Sequence, residues 1–215
     1  KINVLKLSSI MQTKNLIMLA AQFSLKIEAG TDEAGRGCLA GPVTAAAVIL
    51  PESFNLPFLN DSKKLNEKQR KQLRLLIQEQ ALDYTYAHVT PKEIDQINIL
   101  NASIKAMHLS LNKLRIRPEF ISVDGNRFHS FDNIPHHCII KGDGKYLNIA
   151  AASVLAKTYR DDYMEKIHNE YPDFHWHKNK GYPTKSHRAA IKLRGITPHH
   201  RKSFQLLPKQ LKINI

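Results

Sequence analysis

Cysteine is scarce in this 215-residue chain: Cys38 and Cys138 are the whole complement, and no CxxC pair occurs. That excludes a zinc site built on thiolates and argues against a disulfide scaffold, so a reducing cytoplasm is the expected setting. Long apolar runs are missing as well. None approaches the roughly 20 residues that cross a bilayer. The run Leu16 to Ala21, behind Lys14, is too short for a secretory core and lacks a cleavage site. No membrane association is expected. After Lys26 there is no Gly/Ser linker and no low-complexity tract, and the chain holds no internal repeat. Acid is in deficit: 19 Asp and Glu stand against 32 Lys and Arg, a formal net charge of +13. Such a surplus attracts polyanions, nucleic acid above all, with a ribosome-bound protein as the plainer alternative.

What is present fits one full domain, and a hydrophobic content of 42% is ordinary for a globular chain. The sequence opens on Lys1, so its start reads as incomplete or processed, with Met11 and Met18 as candidate starts. Residues 1 to 24 show no clear period and stand as an N-terminal extension of uncertain order. Residues 25 to 215 are expected to form the domain proper. Ile27 to Asp32 and Pro42 to Leu50 read as strands around a turn marked by Gly35, Gly37 and Gly41. Asn66 opens a helix with Leu73, Leu76, Ile77 and Gln80 at helical spacing, and Asp83 to Val89 reads as a strand. Thr90-Pro91-Lys92-Glu93 is a helix start, and one helix is expected through Ile94, Ile97, Leu100, Ile104, Met107, Leu111 and Leu114 to a stop before Pro118. Strands follow at Phe120 to Val123 and His137 to Ile140, then helices at Leu147 to about Glu170 and Lys185 to Leu193, closed by Gly195. Strands first, then alternation, predict an α/β layered domain with a mixed sheet.

The chemistry concentrates at strand ends. Asp32-Glu33-Ala34-Gly35-Arg36-Gly37 places two adjacent carboxylates before a glycine-rich turn. Neighbouring side chains on a regular strand face opposite ways, so both serve one site only where the strand ends or twists. A solvated acidic turn with Glu33 or Asp32 paired to Arg36 is the bland alternative. Asp124 ends the apolar run Phe120, Ile121, Val123, where open α/β sheets place ligands; an Asp-Gly turn or helix cap would look the same. Asp143, between Gly142 and Gly144, has the same two readings. Together, acidic groups at three strand ends suit hard cations such as Mg2+ or Mn2+. In a basic chain the cations would neutralise a centre that otherwise repels phosphate, and two ions roughly 4 Å apart would activate water and stabilise a leaving oxygen.

The strings AGTDEAGRGCLAGPV, NDSKKL, VDGN, KGD, AASVLAK..YRD, HKNKGYPTK.H and HRKSF, in this order across about residues 27 to 207, resemble the bacterial ribonuclease HII family. The resemblance implies a ribonuclease H-like fold: a mixed central sheet flanked by helices, with a helical C-terminal extension. It implies metal-dependent endonucleolytic cleavage of RNA in RNA/DNA hybrids and at single ribonucleotides embedded in duplex DNA, leaving 5′-phosphate and 3′-hydroxyl ends. Asp32, Glu33, Asp124 and Asp143 match the catalytic metal-binding carboxylates, for two divalent ions, Mn2+ or Mg2+. Gly35, Arg36 and Gly37 match a tripeptide that reads the ribose 2′-hydroxyl, the group that separates RNA from DNA locally. Tyr182 matches a tyrosine that stacks on the sugar past the junction, a half-buried core aromatic being the alternative. Ser62, Lys63 and Lys64 fit phosphate contacts, or a helix cap and surface lysines. Ser153 and Lys157, one turn apart, are weaker candidates for the same role.

Asp161 matches an acidic family position and reads as structural. His136, His137, His175, His177, His199 and His200 lack a ligand pattern such as HExxH and are expected at the surface or facing phosphate. Cys38 is expected to pack. Three rival readings lose ground. A strand-transfer enzyme would leave the GRG turn and Tyr182 without a ribose to read. Ribonuclease HIII usually differs in the hexapeptide after the DE pair and needs a large N-terminal domain, for which the residues before Asp32 are too few. A non-catalytic hybrid-binding protein gains nothing from four carboxylates. A monomer with no obligate protein partner is expected.

Overall fold

The computed structural model describes residues 19–54, 56, 59 and 66–207. In chain order these form β1 (Glu28–Ala34), β2 (Val43–Ile49), α1 (Glu67–Gln80), β3 (Asp83–Val89), α2 (Pro91–Asn112), β4 (Phe120–Asp124), β5 (His136–Ile139), α3 (Leu147–Glu170), the short α4 (Trp176–Asn179) and α5 (Lys185–Arg194). One sheet runs in the order β3-β2-β1-β4-β5. The first three strands pair antiparallel, while β4 joins β1 and β5 joins β4 in parallel. The mixed sheet is therefore as the sequence predicts, and the parallel step from β1 to β4 needs the long crossover that the intervening elements supply.

The period-2 pattern of β2 divides the core into two layers. Ala46 and Val48 point to one face, against Leu73, Leu76 and Ile77 of α1 and the Ala150–Ala156 stretch of α3. Ala45, Ala47 and Ile49 point to the other, against Ile94, Ala102, Met107 and Leu111 of α2 and Ile121 and Val123 of β4. Small residues on β1 let α3 lie close: a Cβ on Gly30 would overlap the backbone of Asn148. A third cluster, with Leu39, Met164, Phe174, Trp176 and Ile191, packs the C-terminal helices onto the end of α3. Among the described residues no helix is long and apolar enough to cross a membrane.

Helix starts follow the sequence closely. Asn66 and Thr90 both cap through reciprocal bonds with the residue three positions on, Gln69 and Glu93. α2, however, is not one uninterrupted helix. Asn98 breaks it with φ 63° and ψ 166°, and its side chain accepts the Asn101 N–H at 3.1 Å, restarting the helix with a second cap. The capping bond compensates a backbone conformation otherwise nearly confined to glycine. The last strand, β5, begins at His136 and ends at Ile139, one residue earlier than expected, because Lys141 turns left-handed (φ 56°) to start the Gly142–Gly144 turn. Packing also begins before residue 25: Leu19 is buried, Phe23 stacks on His137 at 4.7 Å, and Glu28 accepts the N–H groups of Phe23 and Ser24.

Candidate active site

Parallel pairing sets Thr31 beside Val123, so the C-terminal ends of β1 and β4 emerge together with Asp32 on one and Asp124 on the other. Asp32 is buried at 5% exposure beneath α3, where the nearby Lys157 charge and Ser153 hydroxyl favour its anion. Glu33 and Asp124 line a small cavity with Arg36, Asn126, Arg127 and the Leu100 and Ile104 side chains of α2. Burial, then the charges of Glu33 and Asp124, push the Asp32 carboxyl up to about 8. Burial raises Glu33 as well, against the pull of Arg36. Three acidic groups thus repel one another inside a chain of net charge +13.

Hard, closely spaced oxygen donors in mutual repulsion are the donor set that suits Mg2+ or Mn2+. Each carboxylate is partly held by the protein itself. Glu33 Oε1 lies 3.1 Å from Arg36 Nη1, and Asp124 Oδ1 accepts the Gly142 N–H at 2.7 Å. That second bond ties the turn carrying Asp143, itself buried, to the end of β4. Among the described residues no group of three or more Asp, Glu, His or Cys side chains is placed to hold a metal ion.

The glycine turn beside the carboxylates is held by two buried arginines. Arg201 Nη2, Nη1 and Nε donate to the carbonyls of Gly35, Arg36 and Gly41 at 2.7, 2.9 and 3.0 Å. Arg160 donates to those of Pro42, Lys180 and Ala40 at 2.9, 2.8 and 3.1 Å. Gly35 has φ +92° and a Cβ there would overlap Arg160 Nε, whereas a Cβ on Gly37 would meet nothing within 4 Å. The Arg36 side chain stays 51% exposed. Sequence reasoning gave neither Arg160 nor Arg201 a role. The signal available was the lone arginine in HRKSF, inside a matching string but far from the acidic residues in sequence.

A second cavity, on the far side of Gly35, is lined by Ala34, Arg70, Lys157, Arg160, Asp161, Lys180 and Tyr182. Tyr182 is 48% exposed and lies near the buried Cys38 thiol. Asp161 is buried 3.9 Å from Arg70, as an ion-paired structural group would be. Lys157 Nζ donates to Ser153 Oγ at 2.6 Å. Ser153 is fully buried, so its hydroxyl supports Asp32 and does not face the surface. Ser62, Lys63 and Lys64 lie outside the described residues. His200, expected at the surface, is instead 1% exposed and packs with His187 against Trp176 of the third core cluster, because tilted ring contacts and hydrogen bonds there replace water.

Sheet order and strand directions, with acidic groups on the adjoining strands β1 and β4, define a protein of the ribonuclease H fold. Residues 29–207 match the family model described as Ribonuclease HII. Ribonuclease HII of Christiangramia forsetii is 68% identical over 186 residues, 86% of this chain and 94% of the relative. The crystal structure of the ribonuclease H2 from Pyrococcus horikoshii OT3 superposes with a TM-score of 0.69 at 30% identity, covering 83% of this chain and 94% of that one. RNase HII in the PCNA:RNase HII complex from Archaeoglobus fulgidus gives 0.73 at 27% identity, covering 86% and 98%. The chain belongs to the ribonuclease HII family and is an endoribonuclease, a hydrolase of phosphodiester bonds.

Proposed function

We propose that this chain cuts the RNA strand of RNA/DNA hybrids, and cuts at single ribonucleotides embedded in duplex DNA, leaving 5′-phosphate and 3′-hydroxyl ends. Asp32, Glu33, Asp124 and Asp143 would hold two divalent ions, Mg2+ or Mn2+. When bound, such ions activate the attacking water and stabilise the leaving oxygen. The observation that carries this reading is the juxtaposition of the repelling carboxylates Asp32, Glu33 and Asp124 with the arginine-held turn at Gly35.

The protein's own residues supply the rest. Arg201 takes up the carbonyls of Gly35 and Arg36 while Arg160 holds those of Ala40 and Pro42 just beyond, which fixes the backbone around Gly35, Arg36 and Gly37 and leaves its N–H groups to meet a ribose 2′-hydroxyl. The exposed Arg36 guanidinium, paired with Glu33, joins that ribose contact to the metal site. Tyr182 presents a half-exposed ring for the sugar past the junction. Lys157 orders Ser153 and Asp32 and offers positive charge to the phosphate that approaches them. Ser62, Lys63 and Lys64 would add phosphate contacts. The chain would act as a monomer in the cytoplasm, with nucleic acid as its partner.

The test is cleavage of a DNA duplex carrying one ribonucleotide, with Mg2+ or Mn2+ and with EDTA. Metal-dependent cutting at that ribonucleotide is expected, and its absence would overturn the reading. Asp124→Asn should abolish turnover while hybrid binding survives.

A further inference from the structure

The C-terminal cluster holds a chain of hydrogen bonds whose proton positions follow from geometry alone. The Thr197 N–H donates to His200 Nδ1 at 3.0 Å, so that nitrogen is an acceptor and the His200 proton sits on Nε2. His200 Nε2 lies 3.3 Å from His187 Nε2, and the Trp176 indole N–H donates to the same His187 nitrogen at 2.9 Å. His187 Nε2 is therefore an acceptor twice over, and its own proton sits on Nδ1. That proton points at the Tyr182 carbonyl, 2.9 Å away. Burial holds both imidazoles in the neutral form that the arrangement requires.

Tyr182 is pinned from several sides. Its N–H donates to Asn179 O at 2.9 Å, and its carbonyl also accepts the Thr184 N–H at 2.8 Å. The preceding Gly181, at φ +82°, accepts the Leu39 N–H at 2.8 Å, which joins it to the segment just past the glycine turn. Of these ties only the one from His187 comes from a side chain, and that side chain is fully buried.

We propose that His187 is a positioning residue for Tyr182: its Nδ1–H fixes the Tyr182 carbonyl, and with it the ring presented to the nucleic acid. The proposal rests on the reading of Tyr182 as the sugar-stacking residue. Trp176 and His200 act one step further out, by setting which nitrogen of His187 carries the proton.

Two amide variants separate the bonds of the ring. In His187→Asn the amide nitrogen stands in for Nδ1 and keeps the bond to the Tyr182 carbonyl. In His187→Gln the amide oxygen stands in for Nε2, keeping the bond from Trp176 and losing the one to Tyr182. Each is made alone and with Tyr182→Ala, and cleavage of a duplex with one ribonucleotide is followed with melting temperature.

The expected result is that His187→Asn keeps turnover near that of the parent, while His187→Gln loses about tenfold in kcat, a modest displacement at a reacting geometry. In the Tyr182→Ala background the glutamine should cost nothing more. Losses that multiply between His187→Gln and Tyr182→Ala, or an asparagine variant as poor as the glutamine one, would overturn the proposal and leave His187 a core residue. If the glutamine variant does not fold, the asparagine variant decides alone: a tenfold loss there overturns the proposal. If Tyr182→Ala itself cleaves like the parent, the stacking role falls and the proposal falls with it, an outcome distinct from multiplying losses.

Discussion

Arg201 Nη2 donates to the Gly35 carbonyl at 2.7 Å, across 166 positions of sequence, and so ties the C-terminal segment to the turn beside the carboxylates. The guanidinium is fully buried and spends its donors on backbone carbonyls. Burial and the nearby Arg160 charge lower it to about 10, so it remains a cation at neutral pH. Lysine would keep the charge and lose the fork. Arg201→Lys is expected to cost about 3 kcal/mol of stability, the scale for a buried charge stripped of its partners, and to weaken cleavage further than stability alone explains. Urea unfolding and cleavage rates measured side by side check this. A lysine variant of native stability and rate would show the fork to be dispensable.

The two glycines of the turn should not behave alike. Gly35 has positive φ and no room for a Cβ, with Arg160 against it, while Gly37 faces open space. Gly35→Ala is therefore expected to lower stability by about 2 kcal/mol or more and to remove cleavage. Gly37→Ala should leave stability within about 0.5 kcal/mol. Any loss of activity there would then report lost approach to the ribose. Equal melting temperatures for the two variants would contradict this assignment of roles.

Strand-end chemistry was legible in the sequence because it is local. Glu33 and Asp124 line one cavity, and Asp32 lies within electrostatic reach of both, although β1 runs on through Ala34 and the turn at Gly35 comes one residue after the acidic pair. The buried strand β2 and the helix starts at Asn66 and Thr90 were equally readable, since an apolar run and a cap need only neighbours in sequence. The restart at Asn98 was hidden inside an apolar stripe that stays in phase across it. The roles of Arg160, Arg201 and His187 were not readable at all. Arg160 and Arg201 act on backbone carbonyls of distant segments and His187 on one five positions away, and a carbonyl has no letter in the sequence.

His200 gives the stability a definite dependence on acid. Burial, with His187 beside it, lowers its titration to about 4, against 6.5 for the free side chain. The unfolded chain therefore binds a proton between those values and the folded chain does not, so stability is full above about 6.5 and falls as pH drops toward 4. For this one group the loss by about pH 5 is about 2 kcal/mol. His88, also lowered to about 4, works in the same direction. Denaturant midpoints at neutral pH and near pH 5 measure the slope. His200→Asn, whose amide oxygen can still accept the Thr197 N–H, should flatten it, and an unchanged slope would mean that His200 stays readily protonated in the fold.

Asp32 runs the opposite way. Its folded titration, raised to about 8, lies far above the 3.8 of a free aspartate, so across that window the folded chain holds a proton that the unfolded chain has released. Without divalent metal, stability should then fall as pH rises through the window, the loss being complete above about 8. The cause is burial plus repulsion from Glu33 and Asp124, both of which penalise the anion alone. Asp32→Asn removes that penalty, so the metal-free variant should melt above the metal-free parent near pH 8. Mg2+ should raise the melting temperature of the parent, since a cation bound by the folded state alone stabilises it by mass action. It should raise that of Asp32→Asn much less. The variant, more stable without metal, should also be the one that does not cut. Melting curves in EDTA and in Mg2+, for both chains, decide the matter; an equal gain from Mg2+ in both would take Asp32 out of the metal site.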